Sequence, residues 1–231
     1  MSSSHSSLLW AFGNLDDAGS GQLSSLSATC ALLALSLRQN TNFIVLHHFC
    51  GLHERGYLAG PNRLIRSLLC QVFHSCCRFN LGFINTSVFA NDIRSNSLHA
   101  LCHIFSELIV QLPQGQTVVC IIDGVASFEI EPWLHQLCNV IYMMNSLINK
   151  SAQGPIFKLL VTTPFGHGMI DRQLLDHQRL VLQPVEAYGD GGELSHRLIW
   201  DEIGQTSRLK YYEKLMEMED ANEDDSDSDE K

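Results

Sequence analysis

The sequence predicts an α/β domain of three layers, a mostly parallel sheet of about five strands flanked by helices. Three observations lead there. The stretch TVVCIIDG, residues 117–124, carries an unbroken apolar run from Val118 to Ile122 and ends on Asp123 and Gly124. A run so short and so rich in β-branched residues reads as a strand buried on both faces. Similar runs alternate along the chain with longer segments whose apolar residues recur at helical spacing, as strand–helix–strand units do. Finally, 231 residues with 45% hydrophobic content suffice for a substantial core in one α/β domain or two small ones.

Taken in order, LLWAFG (residues 8–13) reads as a short buried strand ending on Gly13. A Gly, Ser and Asp-rich segment follows, then SSLSATCALLALSLRQ, which has serine at its start, a basic end and apolar residues almost all round. These features fit a buried helix. FIVLHHFC (43–50) is a second strand, stopped by Gly51. Pro61 opens a helix with Leu64, Ile65, Leu68, Leu69, Val72 and Phe73 on one side, proline being favoured in a first turn. Residues 79–95 read as a loop with one short element. Ser97 is a good N-cap for the stripe Leu98, Leu101, Phe105, Leu108 and Leu112, which Pro113 stops.

After the strand at 117–122, Pro132 opens another helix, with Trp133, Leu137, Val140, Ile141, Met144 and Ile148 on one side; Gly154-Pro155 breaks it. IFKLLVT (156–162) and Leu180 to Val185 are two further strands. The resulting order is strand, helix, strand, helix, helix, strand, helix, strand, helix, strand. The domain boundaries follow: residues 1–188 form the α/β domain, 189–216 a helical extension with one or two polar helices over about 194–218, and 217–231 an acidic tail.

Charge is concentrated in that tail. The chain carries a formal −10, of which Glu217 to Lys231 hold −8 from nine acids and one lysine, leaving the body near neutral. A nucleic-acid binder is expected to show a basic footprint, so nucleic-acid partners are not expected. The tail, with almost no apolar residues, is expected to be disordered. Within it Ser226 has Asp229 three residues later, a setting that resembles an acidophilic kinase site; a merely solvating tail is the plainer reading. No run reaches the roughly 18 apolar residues of a membrane span, and the N-terminus lacks the charged and apolar regions of a signal peptide. Cys30, Cys70, Cys102, Cys120 and Cys138 fall within apolar periodic segments, where free cysteine packs as a small hydrophobe. A reduced, cytoplasmic protein is therefore expected.

LIRSLLCQVF (64–73), VVCIIDG (118–124) and FKLLVTTP (157–164) occur in an order and spacing that resemble the NACHT-type NTPase core of the STAND class, in particular the nephrocystin-3-like domains of fungal proteins. The likeness covers roughly residues 8–185, and FCGLHERGYLAGPNRLIRSLL (49–69) is similar to uncharacterised fungal members. It implies a P-loop NTPase-like fold and a nucleotide site at the carboxyl ends of the strands. Members of this kind normally carry an effector domain before the core and a helical or repeat region after it, so a fragment, a truncated gene model or a reduced paralogue is expected.

The site motifs depart from the family pattern at three places. A phosphate loop needs Gly-x-x-x-x-Gly-Lys-Ser/Thr, with backbone N–H groups around the phosphates and a lysine to offset their charge. The corresponding stretch, Gly13 to Ser24, has Gly13, Gly19 and Ser20 but unsuitable spacing, and no lysine precedes Lys150. Asp16 and Asp17 place two negative charges there, each costing a triphosphate on the order of kilocalories per mole at an effective dielectric near 20. The second motif keeps Asp123, which in the family would hold Mg²⁺. The acid that should follow closely is replaced by Val125, Ala126, Ser127 and Phe128. The third motif ends in Thr162, Thr163 and Pro164 where the family places an arginine, and the next arginine is Arg172. A structural alternative for Asp123 is an acid capping the turn that follows it.

His47, His48, Cys50 and His53 could in principle bind zinc, but strand alternation puts His47 on the face opposite His48 and Cys50, and no Cys-x-x-Cys pair is present. A Cys–His nucleophile using Cys76 or Cys77 lacks an orienting third group. His167, in a Gly-flanked loop, is a minor candidate for ligand contact. The expectation is a non-hydrolysing module acting as a protein-interaction or scaffold domain, with no cofactor. Its partners are expected to be proteins, homo-oligomer assembly being one form of this, with no membrane. The alternative is a nucleotide-binding switch or weak NTPase that takes Mg-ATP or Mg-GTP through Gly13, Gly19, Ser20, Asp123, Thr162 and Thr163, with Asp123 on Mg.

Overall fold

The predicted central strand is the most deeply buried. All seven residues of β3 (Thr117–Asp123) are buried, because it lies between two strands with helices on both faces. A computed structural model of the chain describes residues 5–13, 24–53, 59–75, 78–85, 87–150, 154–164 and 178–182. Its other strands are β1 (Ser7–Gly13), β2 (Phe43–Phe49), β4 (Ile156–Thr163) and β5 (Arg179–Leu182). Its helices are α1 (Ser25–Arg38), α2 (Pro61–Ser75), α3 (Ser87–Arg94), α4 (Leu98–Val110) and α5 (Leu134–Lys150). The sheet order is β2-β3-β4-β1-β5 and every pairing is parallel. All described residues fall in the compact unit Met1–Val185.

The two faces of the sheet differ. Registered rows such as Leu46, Cys120, Leu159 and Leu8, then Ile122, Val161 and Trp10, belong to the core shared with α2, α4 and α5. Residues one position along point the other way, as the two-residue period of a strand requires. On that second face α1 packs on β2 and β3. From β1 the chain passes to the β2 edge, returns through β3 and β4, and then passes β1 to reach β5. The carboxyl ends of β1, β3 and β4 therefore meet where the direction of winding reverses, which is where α/β sheets bind ligands.

Local chemistry fixes several boundaries. Ser24 caps α1 by accepting the Ser27 N–H at 3.0 Å, and Ser97 caps α4 through the Ala100 N–H at 3.5 Å. Just before that cap Asn96 has φ +59°, a left-handed conformation that asparagine tolerates. Arg66 Nε donates to its side-chain oxygen and Asn62 Nδ2 to its carbonyl, each at 2.8 Å. Gly60, with φ +91°, precedes α2, and a Cβ there would come within 2.9 Å of the Trp133 indole nitrogen. At the β2 edge the Gln71 side chain takes the His47 N–H at 2.9 Å and donates to its carbonyl at 2.8 Å. Such capture blunts an edge that would otherwise be open to another strand.

Several expectations need correction. Residues 79–95 hold two elements, a 3₁₀ turn at Gly82–Ile84 and the eight-residue α3; α3 is too short for its periodicity to stand out. Pro132 does not open α5, which begins at Leu134, because residues 131–133 form the preceding turn. Although α1 is apolar almost all round, it buries one side only and leaves Leu32 exposed, as a helix on an outer layer does. Cys70 is exposed on α2 instead of packed. The last described strand begins at Arg179, one residue before the expected Leu180, and residues 183–185 lie outside the described residues. The helix expected between the last two strands, the 189–216 extension and the acidic tail lie outside the described residues.

Candidate functional site

Asp123 ends β3 with its side chain on the face that α1 covers. The residue is 4% exposed. The hydroxyl of Ser27, in the first turn of α1, donates to one carboxylate oxygen at 2.6 Å. The hydroxyl of Thr162, near the end of β4, donates to the other at 2.5 Å. The Cys30 thiol, one turn along α1, is a third hydrogen-bond partner. Asp123 thus ties the helix on one face to the strand beside it.

The hydroxyls themselves are organised. The Gly124 N–H donates to Thr162 Oγ1 at 3.1 Å, so the threonine accepts from the backbone and passes its own proton toward Asp123. Ser27 Oγ lies 3.0 Å from Ser24 Oγ, whose oxygen already accepts the Ser27 N–H. With Ser27 donating to Asp123, Ser24 must donate to Ser27. The helix cap and the carboxylate therefore belong to one hydroxyl chain, a polar network with every proton directed. Gly124 turns the backbone away with φ +72°, and the 3₁₀ turn Val125–Phe128 that follows has no side-chain cap. The expectation that Asp123 caps this turn is thus corrected. The carboxylate points back to α1 and across to β4, because burial gives it hydroxyl donors there.

Burial raises the Asp123 pKa, while hydrogen bonds from Ser27, Thr162 and Cys30 oppose that rise. The Cys30 thiol is pushed up, first by burial and then by the charge of Asp123, so it stays protonated as a donor. One carboxylate and two hydroxyls make an oxygen set of the type Mg²⁺ takes, but Mg²⁺ also keeps several waters. In this arrangement both carboxylate oxygens hold short hydrogen bonds inside the protein, and the carboxylate is almost wholly shielded from water. The geometry is that of a closed clamp, which Mg²⁺ would have to open.

Of the other expected site residues, Thr163 is buried at the end of β4 and Gly13 is the last residue of β1, paired with Leu182 of β5. Gly13, Thr162, Thr163 and Asp123 therefore share one rim. Gly19, Ser20, Asp16, Asp17, Arg172, His167, Cys76, Cys77 and Ser226 lie outside the described residues. His47 and His48 occupy opposite faces of β2, as alternation required. His47 Nδ1 meets the Arg38 guanidinium at 3.1 Å, and burial followed by Arg38 lowers its pKa to about 4. His48 stacks on His53 with ring centroids 4.9 Å apart. Among the described residues no group of three or more His, Cys, Asp or Glu side chains is placed to hold a metal ion.

The family comparison can be set against this geometry. The family model described as Nephrocystin 3, N-terminal, matches residues 1–163. The chain belongs to the nephrocystin-3 N-terminal family. The match ends on Thr163, the last residue of β4, so it spans the four strands that build the rim and stops before β5. No curated protein matches the chain.

Ser27, Cys30 and Gln71 are the site and edge residues that sequence reasoning missed. In this nephrocystin-3-type fold the helix after β1 begins beside the end of β3, so a hydroxyl in its first turn is the signal that could have located Ser27. Nothing in the sequence marks Gln71, because its role depends on β2 being an edge strand.

Proposed function

We propose that this nephrocystin-3-type domain is a non-hydrolysing NACHT/STAND-like module that works through protein contacts, as an interaction or scaffold domain. The observation that carries this reading is the Asp123 clamp. The acid that the family would use for Mg²⁺ is committed to Ser27, Thr162 and Cys30. Freeing its oxygens would forfeit hydrogen bonds worth about 1.5–3 kcal/mol each for a charged acceptor. The absence of a lysine before Lys150 and the aspartates at 16 and 17 support the same reading, since nothing there offsets phosphate charge. A reduced cytoplasmic setting fits the free thiols of Cys30, Cys50, Cys102 and Cys120, all buried.

An apolar patch at the end of the helical layer away from the rim supports the interaction reading. Phe73 at the end of α2 meets Phe79 edge-on at 5.7 Å, and Asn80 is bonded twice to Gln111 beyond α4. That pair brings Leu81 and Val110 into the same region, with Phe73, Leu81 and Val110 all exposed. A clustered apolar patch marks contact surfaces better than scattered residues do. Protein partners, a second copy of this chain among them, are the class it fits.

A specific observation favours the alternative of a nucleotide-binding switch. Oxygen ligands from β3, α1 and β4 converge at the rim, and opening the clamp would present them together. Thermal-shift titrations with Mg·ATP and Mg·GTP separate the two readings, because a ligand that binds the native state raises Tm. No shift is expected. A rise with either nucleotide that Asp123→Asn abolishes would overturn the scaffold reading.

A further inference from the structure

On the face opposite Asp123, at the same end of the sheet, the last turn of β2 carries a second polar group in a different condition. His48 is 4% exposed, and among the described residues its Nε2 has no hydrogen-bond partner. One side of the ring stacks on His53 of the 3₁₀ turn Cys50–His53, with an interplanar angle of 24°. Phe128 of the turn Val125–Phe128 lies 6.3 Å from His48 between centroids. Trp133 stands edge-on to Phe128 at 5.5 Å and closes on Gly60 at the head of α2. The backbones also come close there, the Gly51 nitrogen lying 3.7 Å from where a Cβ of Gly124, just before the second turn, would stand.

We propose that the stacked His48–His53 pair is a proton-operated latch holding the rim turns Cys50–His53 and Val125–Phe128 together. With both imidazoles neutral the stack is an apolar contact. A proton on His48 would put a cation with an unpaired N–H among Phe128, Ile122 and a second imidazole, so the turns must part to let water reach it. The charged neighbours that act on His48 are His53 from the adjoining turn and His47 from the far face of β2. Both disfavour its charged form, as burial does more strongly. The folded pKa lies below the ordinary 6.5, so stability from the closed latch is complete above about pH 6.5 and is lost as pH falls below it. The consequence is local. Opening these turns exposes Phe128 and Trp133 and loosens Gly124, whose N–H supports Thr162 in the Asp123 clamp.

Hydrogen–deuterium exchange on the full chain at pH 7.5 and 5.0, corrected for the chemical exchange rate, tests this. An imidazole that regains a pKa near 6.5 on opening favours the open form by about 30-fold at pH 5.0 relative to high pH. Protection in peptides covering 50–53 and 125–128 should therefore fall by about 10- to 30-fold, while that of α4 holds. His48→Phe keeps the ring packing and removes the proton site, and should leave protection in both turns independent of pH. If His48→Phe does not fold, His53→Phe serves: with a neighbouring like charge gone, His48 holds its proton better in the closed form, so the fall in protection at pH 5.0 should shrink. Loss of protection at pH 5.0 that is equal in wild type and His48→Phe overturns the latch. So does unchanged protection of the wild-type turns, or a fall in protection at pH 5.0 that His53→Phe leaves as large as in wild type.

Discussion

At one end of the sheet, neighbouring strands carry two buried polar groups on opposite faces, and they are treated in opposite ways. Asp123 faces α1 and has donors from Ser27, Thr162 and Cys30. His48 faces the α2, α4 and α5 layer, with aromatic rings about it and Nε2 without a partner among the described residues. A buried polar group that is satisfied holds elements together, whereas one left unsatisfied is a weak point that water can reclaim. Burial alone therefore does not tell which polar residue supports the fold. The partners do. The difference can be measured by removing each group in turn.

The largest effect is expected from Asp123→Ala. It removes the acceptor for two short hydrogen bonds and leaves the Ser27 and Thr162 hydroxyls buried, costing about 3–5 kcal/mol. For a domain of this size that is a fall in Tm on the order of 10 °C. Chemical denaturation with an unchanged m-value checks it. A loss under 1 kcal/mol would mean that the clamp does not tie α1 to β4. Thr162→Val comes next, at about 2–3 kcal/mol, since an isosteric methyl strands both the Gly124 N–H and one Asp123 oxygen. Ser27→Ala should cost less, about 1–2 kcal/mol, because Ser24 still caps α1. A double-mutant cycle between Ser27 and Thr162 should be non-additive, both acting through one carboxylate.

Acidity should separate the buried histidines from Asp123 by sign. The histidines have depressed folded pKa values, His47 to about 4 and His48 well below 6.5. Their contribution is complete above about pH 6.5 and is lost as pH falls toward those values. Asp123 has a raised folded pKa, so its contribution is complete below the ordinary 3.8 and is lost as pH rises through the raised value. Denaturation series should show His47→Phe reducing the acid-side loss. Asp123→Asn should remove the opposite slope, at the expense of clamp stability at every pH. If Asp123→Asn steepens the alkaline-side loss, Asp123 is not held as described.

Much of the architecture was legible because it depends on local pattern. The run at 118–122 marked a strand with both faces covered, and helical stripes marked α2, α4 and α5; all appear where those patterns lie. The alternation in HHFC alone places His47 and His48 on opposite faces. What escaped depends on strand order. Ser27 and Asp123 are 96 residues apart, and nothing local says that the head of α1 lies at the end of β3. For the same reason Asp123 looked like a turn cap, the role an acid before glycine most often takes. Gln71 became meaningful only once β2 was an edge. Helix α3 has no clear signature in the sequence because eight residues give barely two turns of period.

The smallest effect on stability, and the last test of the comparison, lies at the opposite end of the domain. Phe73 is 43% exposed and rests edge-on against Phe79, so Phe73→Asp should change stability by less than about 1 kcal/mol, losing one aromatic contact at the surface. If the patch it shares with Leu81 and Val110 is a contact surface, the same substitution should abolish association of the full chain in sedimentation velocity, because a desolvated charge at the centre of an apolar contact is costly. Unchanged stability with lost association would place function on the patch and structure on the Asp123 clamp. An association that survives Phe73→Asp would move the contact surface elsewhere. A large loss of stability would show that Phe73 belongs to the core, which its exposure argues against.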